Sequence, residues 1–319
     1  MIYGGRTGEH EVSVRSAKAI LAGLDPEKYE KIEYFIDKAG KWNPGPILPE
    51  PGAHPGIDVV FPVLHGTFGE DGTMQGLLEL AGLPYVGAGV MASAISMDKE
   101  MMKRVCKERM LPVVEYVTVM RGCPNVGEAC RELAFPVFVK PANLGSSVGI
   151  SKAHNVAELE AAFTLAAQYD RKVIVERAIV GRELECSVLG NQDPVASLPC
   201  EILPSREFYD YEDKYLLDRA QTQLPAKLAA ERTEELRALA VECYRAVECE
   251  GMARVDFFLE NATGRLYINE INTIPGFTSI SMYPKMWEQS GVGFGELLDR
   301  LISLALDRDK ARKATRFTR

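Results

Sequence analysis

The sequence lacks the features that mark several classes of protein. It has no excess of basic residues, because 37 Lys and Arg stand against 45 Asp and Glu and leave a net charge of −8. Proteins that bind nucleic acids or anionic membranes normally present a basic surface, so neither class is supported. No apolar stretch approaches the roughly 20 residues that span a bilayer, and no basic-then-apolar leader is recognised at the start.

Paired cysteine motifs, internal repeats and low-complexity segments are also missing. The seven cysteines include no two that are separated by two residues, and several lie in apolar runs. We therefore predict reduced, buried thiols in a cytoplasmic protein. The 46% hydrophobic and 26% charged residues are typical of a folded globular chain. A length of 319 residues predicts two or three domains.

What the sequence does contain is an alternation of strands and helices. The first residues run into a glycine pair and predict a strand followed by a helix, and residues 57–64 predict a buried parallel strand. Further helices are predicted after Asp71, Asp98 and Asn155, whose side chains can cap them. Later strands are predicted at 113–119, 136–140, 172–179 and 183–189. The predicted fold class is α/β, with domain boundaries near residues 97 and 181.

A hairpin near residue 260 carries the strongest chemical signal. A three-residue loop at 262–264, which ends in glycine, predicts that Asn261 pairs with Arg265. In that register Asp256 lies opposite Glu270, and both side chains point to the same face of the hairpin.

Other side chains share that predicted face. Arg254 lies opposite Asn272, so an amide oxygen joins the two carboxylates in a set of donors that suits Mg²⁺ or Mn²⁺. Zinc would require His or Cys. The alternative is a surface ladder of charges, although opposed carboxylates repel unless a cation lies between them. Phe258 and Ile268 would extend the face with apolar surface suited to a flat base.

A second segment combines a lysine with a loop of small residues. Lys140 ends a predicted strand, and the loop that follows runs to Gly149 and is rich in Gly and Ser. Backbone N–H groups and hydroxyls in such a loop can bind phosphate oxygens. The lysine precedes the glycines, so this is not the GxxxxGK[ST] motif, and a plain turn is the alternative.

Six motifs occur in a defined order: His10-Glu11-Val12-Ser13 after Gly4-Gly5, Leu64-His65-Gly66 with Gly69-Glu70-Asp71-Gly72, Met97-Asp98-Lys99, Lys140-Pro141 with Gly145-Ser146-Ser147-Val148-Gly149, Phe208-Tyr209-Asp210-Tyr211 with Lys214-Tyr215, and Asn269-Glu270-Ile271-Asn272-Thr273 with Pro275-Gly276. Together they resemble the D-alanine–D-alanine ligase family of the ATP-grasp superfamily. The resemblance runs from about residue 3 to about residue 287.

The resemblance implies an N-terminal open parallel α/β domain followed by the two α+β lobes of an ATP-grasp fold. The expected divisions are a substrate-binding domain at 1–97, a central lobe at 98–181 and a C-terminal lobe at 182–319. The C-terminal lobe would carry the metal site and a lid loop at about 201–219. Relatives have a longer first strand before the glycine pair, so a short first strand is expected here.

The resemblance also implies a reaction. ATP would phosphorylate the carboxylate of one D-alanine, and the amine of a second D-alanine would attack the acyl-phosphate and release ADP and phosphate. The product, D-alanyl-D-alanine, is a peptidoglycan precursor. Two Mg²⁺ or Mn²⁺ ions would assist, and the protein would act in the cytoplasm as a homodimer formed through its N-terminal lobe, with no nucleic-acid or membrane partner.

The resemblance assigns site residues by motif. Catalytic roles are implied for Glu9, Ser146, Tyr215, Arg254 and Gly276. Substrate binding is implied for His65, Lys214, Ser281 and Met282. Nucleotide binding is implied for Lys99, Lys140, Ser147, Glu176, Arg177, Ile179, Glu183 and Phe258. Metal binding is implied for Asp256, Glu270 and Asn272.

Three alternatives remain beside this interpretation. The first is a relative that uses D-serine or D-lactate as the second substrate. Relatives that make D-alanyl-D-lactate differ around the lid, where Tyr215 resembles the D-alanine users. A catalytically silent ATP-grasp sensor would not need the complete metal, lysine and oxyanion set. An unrelated sugar-binding α/β module would not need the charged hairpin.

Overall fold

The structure, a computed structural model, describes residues 1–145, 148–203 and 221–316. Within those ranges the chain forms three β-sheets with helices packed against them, so the predicted α/β class is confirmed. None of the helices in the described ranges is both long and apolar enough to cross a membrane.

The first sheet is mainly parallel. Its strands are β1 (Ile2–Gly4), β2 (Tyr34–Ile36), β3 (Trp42–Asn43) and β4 (Pro62–Val63). β1 pairs in parallel with β2 and β4, while β3 is antiparallel to β2 at the edge. The accompanying helices are α1 (His10–Gly23), α2 (Thr73–Ala81) and α3 (Val90–Met97). The short first strand is confirmed, whereas the strand predicted at 57–64 is reduced to two residues and a bridge between Val60 and Tyr85.

The second sheet is antiparallel. Its strands are β5 (Tyr116–Met120), β6 (Val137–Pro141), β7 (Ser151–Ala153) and β8 (Lys172–Arg177), and their order in the sheet is β5-β8-β6-β7. The helices of this part are α4 (Lys99–Glu108), α5 (Val126–Ala129) and α6 (Val156–Tyr169). The apolar stripe of α6 packs on the sheet and forms a separate core with it.

The third sheet is also antiparallel and contains the longest strands. They are β9 (Gly181–Gly190), β10 (Val195–Ala196), β11 (Cys200–Leu203), β12 (Gln221–Gln223), β13 (Gly251–Glu260) and β14 (Leu266–Asn272). The order is β12-β11-β9-β13-β14, with β10 paired to β9. The helices are α7 (Ala230–Ala246), α8 (Met282–Gln289) and α9 (Phe294–Lys313). The predicted boundaries near 97 and 181 fall between α3 and α4 and at the start of β9.

Local side-chain bonds explain where several helices begin. Asn155 caps α6 and Asp98 caps α4, each through its side-chain oxygen, as predicted. The prediction for Asp71 is one residue off, because the N-cap of α2 is Gly72. The Asp71 carboxylate still accepts a hydrogen bond from the N–H of Thr73 at 3.0 Å.

The loop of the β13–β14 hairpin is longer than predicted. The N–H of Glu260 donates to the carbonyl of Arg265 at 3.0 Å, so residues 261–264 form a four-residue loop instead of a three-residue one. Gly264 has a φ of 67°, which confirms its role at the end of the loop. A bulge at Asn269 then shifts the pairing by one residue in the opposite sense.

The two offsets cancel beyond the bulge. Asp256 therefore lies opposite Glu270, as predicted. The prediction for Ile268 is wrong, because the bulge turns its side chain into the buried core. Tyr267 takes its place opposite Phe258.

The cysteines are buried, as predicted. All seven belong to the described residues and carry free thiols, and six of them are buried. The predicted lid at about 201–219 lies outside the described residues apart from its first three, which belong to β11.

Candidate active site

Three carboxylates run in a row across the third sheet. Asp256 on β13 lies opposite Glu270 on β14 and opposite Glu185 on β9. Arg254 lies opposite Asn272 two residues away, and the alternation of side chains places all five on one face. The structure therefore brings together the four hairpin residues that the sequence grouped.

Arg254 lies within this row of carboxylates. Its Nε and Nη2 donate to the two carboxylate oxygens of Asp256 at 2.7 and 2.6 Å, and its Nε lies 3.4 Å from Glu185 Oε2. Burial acts against the charged form, but the carboxylates outweigh it and raise the pKa of Arg254. A guanidinium held by two charge-assisted bonds is oriented before any substrate arrives.

Lys99 joins three parts of the site. It is the first residue of α4, and its Nζ donates to the carbonyl of Leu144 at 2.7 Å. The same Nζ lies 3.6 Å from Glu270 Oε2. The N-terminus of α4, the loop after β6 and the hairpin therefore converge on one buried ammonium group.

Lys140 forms a buried ion pair in the second sheet. Its Nζ donates to Glu176 Oε2 at 2.7 Å, and a second ammonium, that of Lys103, lies 3.0 Å from Glu176 Oε1. Burial acts to raise the pKa of Glu176, but the two lysines outweigh it and lower the value to about 2. The Glu176 carboxylate is thus bound by two lysines, and its contact with a nucleotide stays a prediction.

Glu9 lies where three loops meet. A Cβ at Gly66 would come within 2.6 Å of Glu9 Oε2, and a Cβ at Gly145 would come within 3.4 Å. The two glycines therefore leave the space that the carboxylate fills. Gly66 follows His65, and Gly145 belongs to the loop of small residues after β6, so three of the recognised motifs meet at Glu9.

His65 is buried and held on both ring nitrogens. Its Nδ1 lies 3.0 Å from the carbonyl of Ile274, and its Nε2 lies 3.4 Å from Ser16 Oγ. Burial opposes a charge on the ring, but Glu70 and Glu9 outweigh it and raise the pKa of His65. These contacts fix the ring between α1 and the segment after β14.

Gly276 and Ser281 are close neighbours. A Cβ at Gly276 would lie 2.6 Å from Ser281 Oγ, so a larger residue would displace that hydroxyl. Ser281 Oγ accepts a hydrogen bond from the N–H of Thr278 at 3.0 Å and lies at the N-cap of α8. The next residue, Met282, is buried in an apolar cluster with Met286.

The remaining residues predicted to bind the nucleotide surround the connection from β8 to β9. Arg177 ends β8 and donates to Glu260 Oε1 at 2.7 Å, and Ile179 is half-buried in the connection. Glu183 lies opposite Phe258, on the face that carries the row of carboxylates. The apolar surface of that face is therefore formed by Phe258 and Tyr267.

Four predicted site residues lie outside the described residues. They are Ser146, Ser147, Lys214 and Tyr215. Their roles stay predictions.

The donor chemistry of the hairpin fits a hard divalent cation. Asp256 and Glu270 offer carboxylate oxygens and Asn272 an amide oxygen, and the two opposed carboxylates favour a cation between them. In the part of the chain that the structure describes, no three Asp, Glu, His or Cys side chains are grouped closely enough to hold a metal ion. A cation here would therefore complete its shell with oxygens of water or a phosphate.

Sequence reasoning missed Lys103 and Glu185. Lys103 follows Lys99 by four residues, which places both on one face of α4. Glu185 follows Glu183 by two residues, which places both on one face of β9. Both spacings are visible in the sequence, but neither indicates that the side chain lies buried beside an opposite charge.

Family models match most of the chain. The model described as D-ala D-ala ligase N-terminus matches residues 1–54 and 48–88, and the model described as D-ala D-ala ligase C-terminus matches residues 105–303.

Individual relatives match over nearly their full length. The D-alanine--D-alanine ligase of Solibacter usitatus (strain Ellin6076) is 80% identical over 319 residues, which cover 100% of this chain and 98% of the relative. The D-alanine--D-alanine ligase of Thermoanaerobacter sp. (strain X514) is 50% identical, with 96% of each chain covered.

Solved structures agree with the sequence relatives. The D-alanine-D-alanine ligase from Coxiella burnetii superposes with a TM-score of 0.87 at 39% identity and covers 98% of this chain and 94% of its own. The VanG D-Ala:D-Ser ligase from Enterococcus faecalis superposes with a TM-score of 0.86 at 36% identity, with 95% and 98% covered. The folded arrangement, the matched models and the full-length identity lead to one conclusion: the chain belongs to the D-ala D-ala ligase family.

Proposed function

We propose that this protein joins two D-alanine molecules into D-alanyl-D-alanine with ATP, for the synthesis of peptidoglycan precursor. The observation that carries the proposal is the 80% identity over the whole chain to a relative named D-alanine--D-alanine ligase. The site supports it, because buried lysines, a fixed guanidinium and opposed carboxylates converge on one region.

The chemistry requires activation of a poor electrophile. ATP phosphorylates the carboxylate of the first D-alanine, and the amine of the second attacks the carbonyl of the acyl-phosphate, so that phosphate leaves and an amide forms. Arg254 and the N–H of Gly276 stabilise the oxyanion, and Glu9 holds the ammonium of the first substrate. His65, Ser281 and Met282 line the substrate positions.

Phosphate charge is balanced by lysines and by divalent cations. Lys99 and Lys140 contact the nucleotide phosphates, while Asp256, Glu270 and Asn272 hold two Mg²⁺ or Mn²⁺ ions. These ions supply charge neutralisation on the phosphate oxygens when they are bound. The nucleotide base lies near Arg177, Ile179, Glu183 and Phe258, next to the carbonyls of the β8–β9 connection.

Four further residues, assigned by motif alone, would complete the proposed site. Ser146 and Tyr215 would act together with Glu9, Ser147 would cover the phosphates and Lys214 would bind the carboxylate of the second substrate. A closed lid would exclude water from the acyl-phosphate.

The proposed partners are small molecules and a second copy of the chain. Free thiols and a requirement for ATP fit the cytoplasm. We place the homodimer interface on the N-terminal domain, 1–97, where Leu80, Val90 and Met91 are exposed on α2 and α3. The central lobe at 98–181 and the C-terminal lobe at 182–319 then flank the nucleotide.

The proposal is tested by release of phosphate from ATP and Mg²⁺. Parallel reactions contain D-alanine, L-alanine, D-alanine with D-serine, D-alanine with D-lactate, or no acceptor. We expect release that depends on D-alanine, with the dipeptide identified by mass spectrometry. If a product that contains D-serine or D-lactate forms in preference to D-alanyl-D-alanine, the second substrate is not D-alanine. If no reaction releases phosphate, the protein is a nucleotide sensor and not a ligase.

Removing one carboxylate charge should weaken the nucleotide–metal site. For Asp256→Asn we expect a loss of at least about tenfold in kcat/KM for ATP, because a bond to a charged group contributes about 1.5–3 kcal/mol. The matched control is Asp193→Asn, an exposed aspartate outside the predicted site, which should leave kcat/KM unchanged. Equal activity of both variants and the wild type would contradict the assignment of the metal ligands.

A further inference from the structure

Two buried lysines share one buried carboxylate. The Nζ of Lys140 lies 2.7 Å from Glu176 Oε2, and the Nζ of Lys103 lies 3.0 Å from Glu176 Oε1. Lys103 is 0% exposed, Glu176 is 2% exposed and Lys140 is 7% exposed. The lysines come from different elements, α4 and β6, while Glu176 lies on β8 between them.

Lys103 is too deeply buried to contact a ligand. Its neighbours are Glu176, Lys140, the thiol of Cys106 and the ring of Tyr116, whose centroid lies 5.9 Å from Nζ. Its burial lowers the pKa of Lys103, which shows how unfavourable the position is for a charge. Burying a lysine costs free energy, and Lys103 has no contact with a ligand that would explain this cost. Its effect on neighbouring side chains is the remaining explanation.

The net charge of Lys103, Lys140 and Glu176 indicates what Lys103 contributes. Lys140 and Glu176 alone form a pair with no net charge, and such a pair attracts phosphate weakly. With Lys103 the group holds two positive charges and one negative charge, which leaves a net charge of +1. The positive end nearer to the proposed site is Lys140, since its Nζ also lies 3.4 Å from Asn269 Oδ1 in the hairpin.

We infer that Lys103 is a positioning residue that offsets the charge of Glu176 and so leaves the ammonium of Lys140 available to the phosphates of the nucleotide. This inference rests on the proposed function, which places Lys140 at those phosphates. Glu176 would orient Lys140 through a hydrogen bond, and Lys103 would keep that bond from cancelling the charge of Lys140.

The first variant removes only the charge of Lys103. Lys103→Met keeps a long unbranched side chain in the same space. We expect the dissociation constant for ADP with Mg²⁺, measured by calorimetry, to rise about tenfold, because the net charge of the group falls from +1 to zero and its attraction for phosphate weakens. The KM for ATP should rise with it, while kcat and the KM for D-alanine should change much less, because Lys103 lies beside Lys140 and not beside the amino acids.

A second variant separates charge balance from packing. Lys103→Met combined with Glu176→Gln leaves Lys140 as the single charge of the group and restores the net charge of +1. Because Glu176 is itself predicted to bind the nucleotide, the reference for the double variant is the single variant Glu176→Gln. We expect Lys103→Met to weaken ADP binding much less in the Glu176→Gln background than in the wild type, because no carboxylate charge is left there for Lys103 to offset. A purely structural role of Lys103 predicts the same loss in both backgrounds.

The matched control is Lys107→Met, the same substitution one helical turn further along α4. Lys107 is exposed, and its Nζ lies 4.3 Å from the centroid of the Tyr116 ring. This variant should bind ADP as the wild type does. Thermal melting of all variants checks that each is folded at the temperature of the binding measurement.

The outcomes separate this inference from the proposed function. Unchanged ADP binding by Lys103→Met, or an equal loss on Lys103→Met in the wild-type and Glu176→Gln backgrounds, would overturn the role of Lys103. If the wild type binds ADP but releases no phosphate with D-alanine, the proposed function fails while the binding data still decide the role of Lys103. If the wild type binds no ADP, both are wrong.

Discussion

The charged side chains of the candidate site lie beside opposite charges, most of which come from other elements of the chain. Arg254 lies between Asp256 and Glu185, Lys99 lies near Glu270, and Lys140 lies on Glu176. Buried charges are tolerated only when they are paired, so these contacts allow charged side chains to be buried at the candidate site. The same pairing makes the stability of the protein depend on pH.

The carboxylate of Glu176 should contribute to acid stability. Its pKa is about 2 in the folded protein and about 4.5 in the unfolded chain, so the unfolded state binds the proton first as the pH falls. The stabilisation is complete above pH 4.5 and is lost toward pH 2. Between pH 4.5 and 3 the wild type should lose about 1.5 kcal/mol more stability than Lys103→Met combined with Glu176→Gln.

That difference can be measured by urea unfolding at several values of pH, followed by tryptophan fluorescence. The loss of stability on acidification should be steeper for the wild type than for the double variant. Parallel curves for the two proteins between pH 4.5 and 3 would show that Glu176 is not the titrating group.

Single residues show where sequence reasoning reaches its limit. Asp256 and Glu270 could be predicted, because alternation along two paired strands is a local rule. The partners of Lys140 could not, since Lys103 and Glu176 come from elements that meet only in the folded chain. The long-range charge pairs of the site therefore had to be seen in the structure.

At the scale of elements, short-range hydrogen bonds set the boundaries. Asn155 Oδ1 accepts a bond from the N–H of Glu158 at 3.0 Å, and its amide donates to Glu158 Oε1 at 2.7 Å. Because both groups are close in sequence, the start of α6 was predictable. The helices α3 and α8, which begin without a side-chain cap, were not predicted.

Removing this cap should destabilise α6. Asn155→Ala should cost about 1 kcal/mol, whereas Asn155→Ser should cost little, because serine is an equally good cap. The check is the melting temperature, which should fall by about 2–4 °C for the alanine variant. Equal melting temperatures for the two variants would mean that the cap contributes nothing measurable.

The hairpin shows a limit of a different kind. Turn chemistry identified Gly264 and the position of the loop, but a four-residue loop and a three-residue loop share the same terminal glycine. The residue type at position 269 does not indicate a bulge. The predicted pairing of Asp256 with Glu270 was therefore correct, although the three-residue loop from which it was predicted was wrong.

At the scale of the whole molecule, α9 contacts the segment 85–87 between α2 and α3, which lies more than two hundred residues earlier in the chain. Arg308 on α9 donates to the carbonyls of Gly87 and Tyr85, and its guanidinium lies 4.3 Å from the centroid of the Tyr85 ring. A cleft of about 360 Å³ lies beside it, between α2 and α9, and none of the predicted site residues lines this cleft.

Loss of the contacts of Arg308 should lower the free energy of unfolding of the whole molecule. Arg308→Met removes the donors to two carbonyls and should reduce stability by about 1–3 kcal/mol. The control is Arg300→Met on the same helix, whose exposed pair with Glu296 should be worth less than about 1 kcal/mol. Thermal melting should rank the variants in that order, and the reverse order would contradict the assignment.

The class of fold and the order of its parts were predictable at this scale, because strand and helix patterns are local and the motifs occur in sequence order. The packing of α9 against residues 85–87 was not, since no pattern links positions more than two hundred residues apart. The arrangement of the predicted lid, at about 201–219, stays a prediction beyond its first three residues.

The bulge of the β13–β14 hairpin also has a consequence for homologous chains. Between the loop and the two opposed carboxylates, β13 contributes residues 257–260 and β14 contributes residues 265–269, and Asn269 is the one without a partner across the hairpin. A homologue could lose one residue from the loop and keep the carboxylates opposed, because the pairs on either side of the loop would not change. A residue removed from 257–260 or added to 265–269 would instead enlarge the bulge, so changes of length should be found in the loop more often than in these two strand segments.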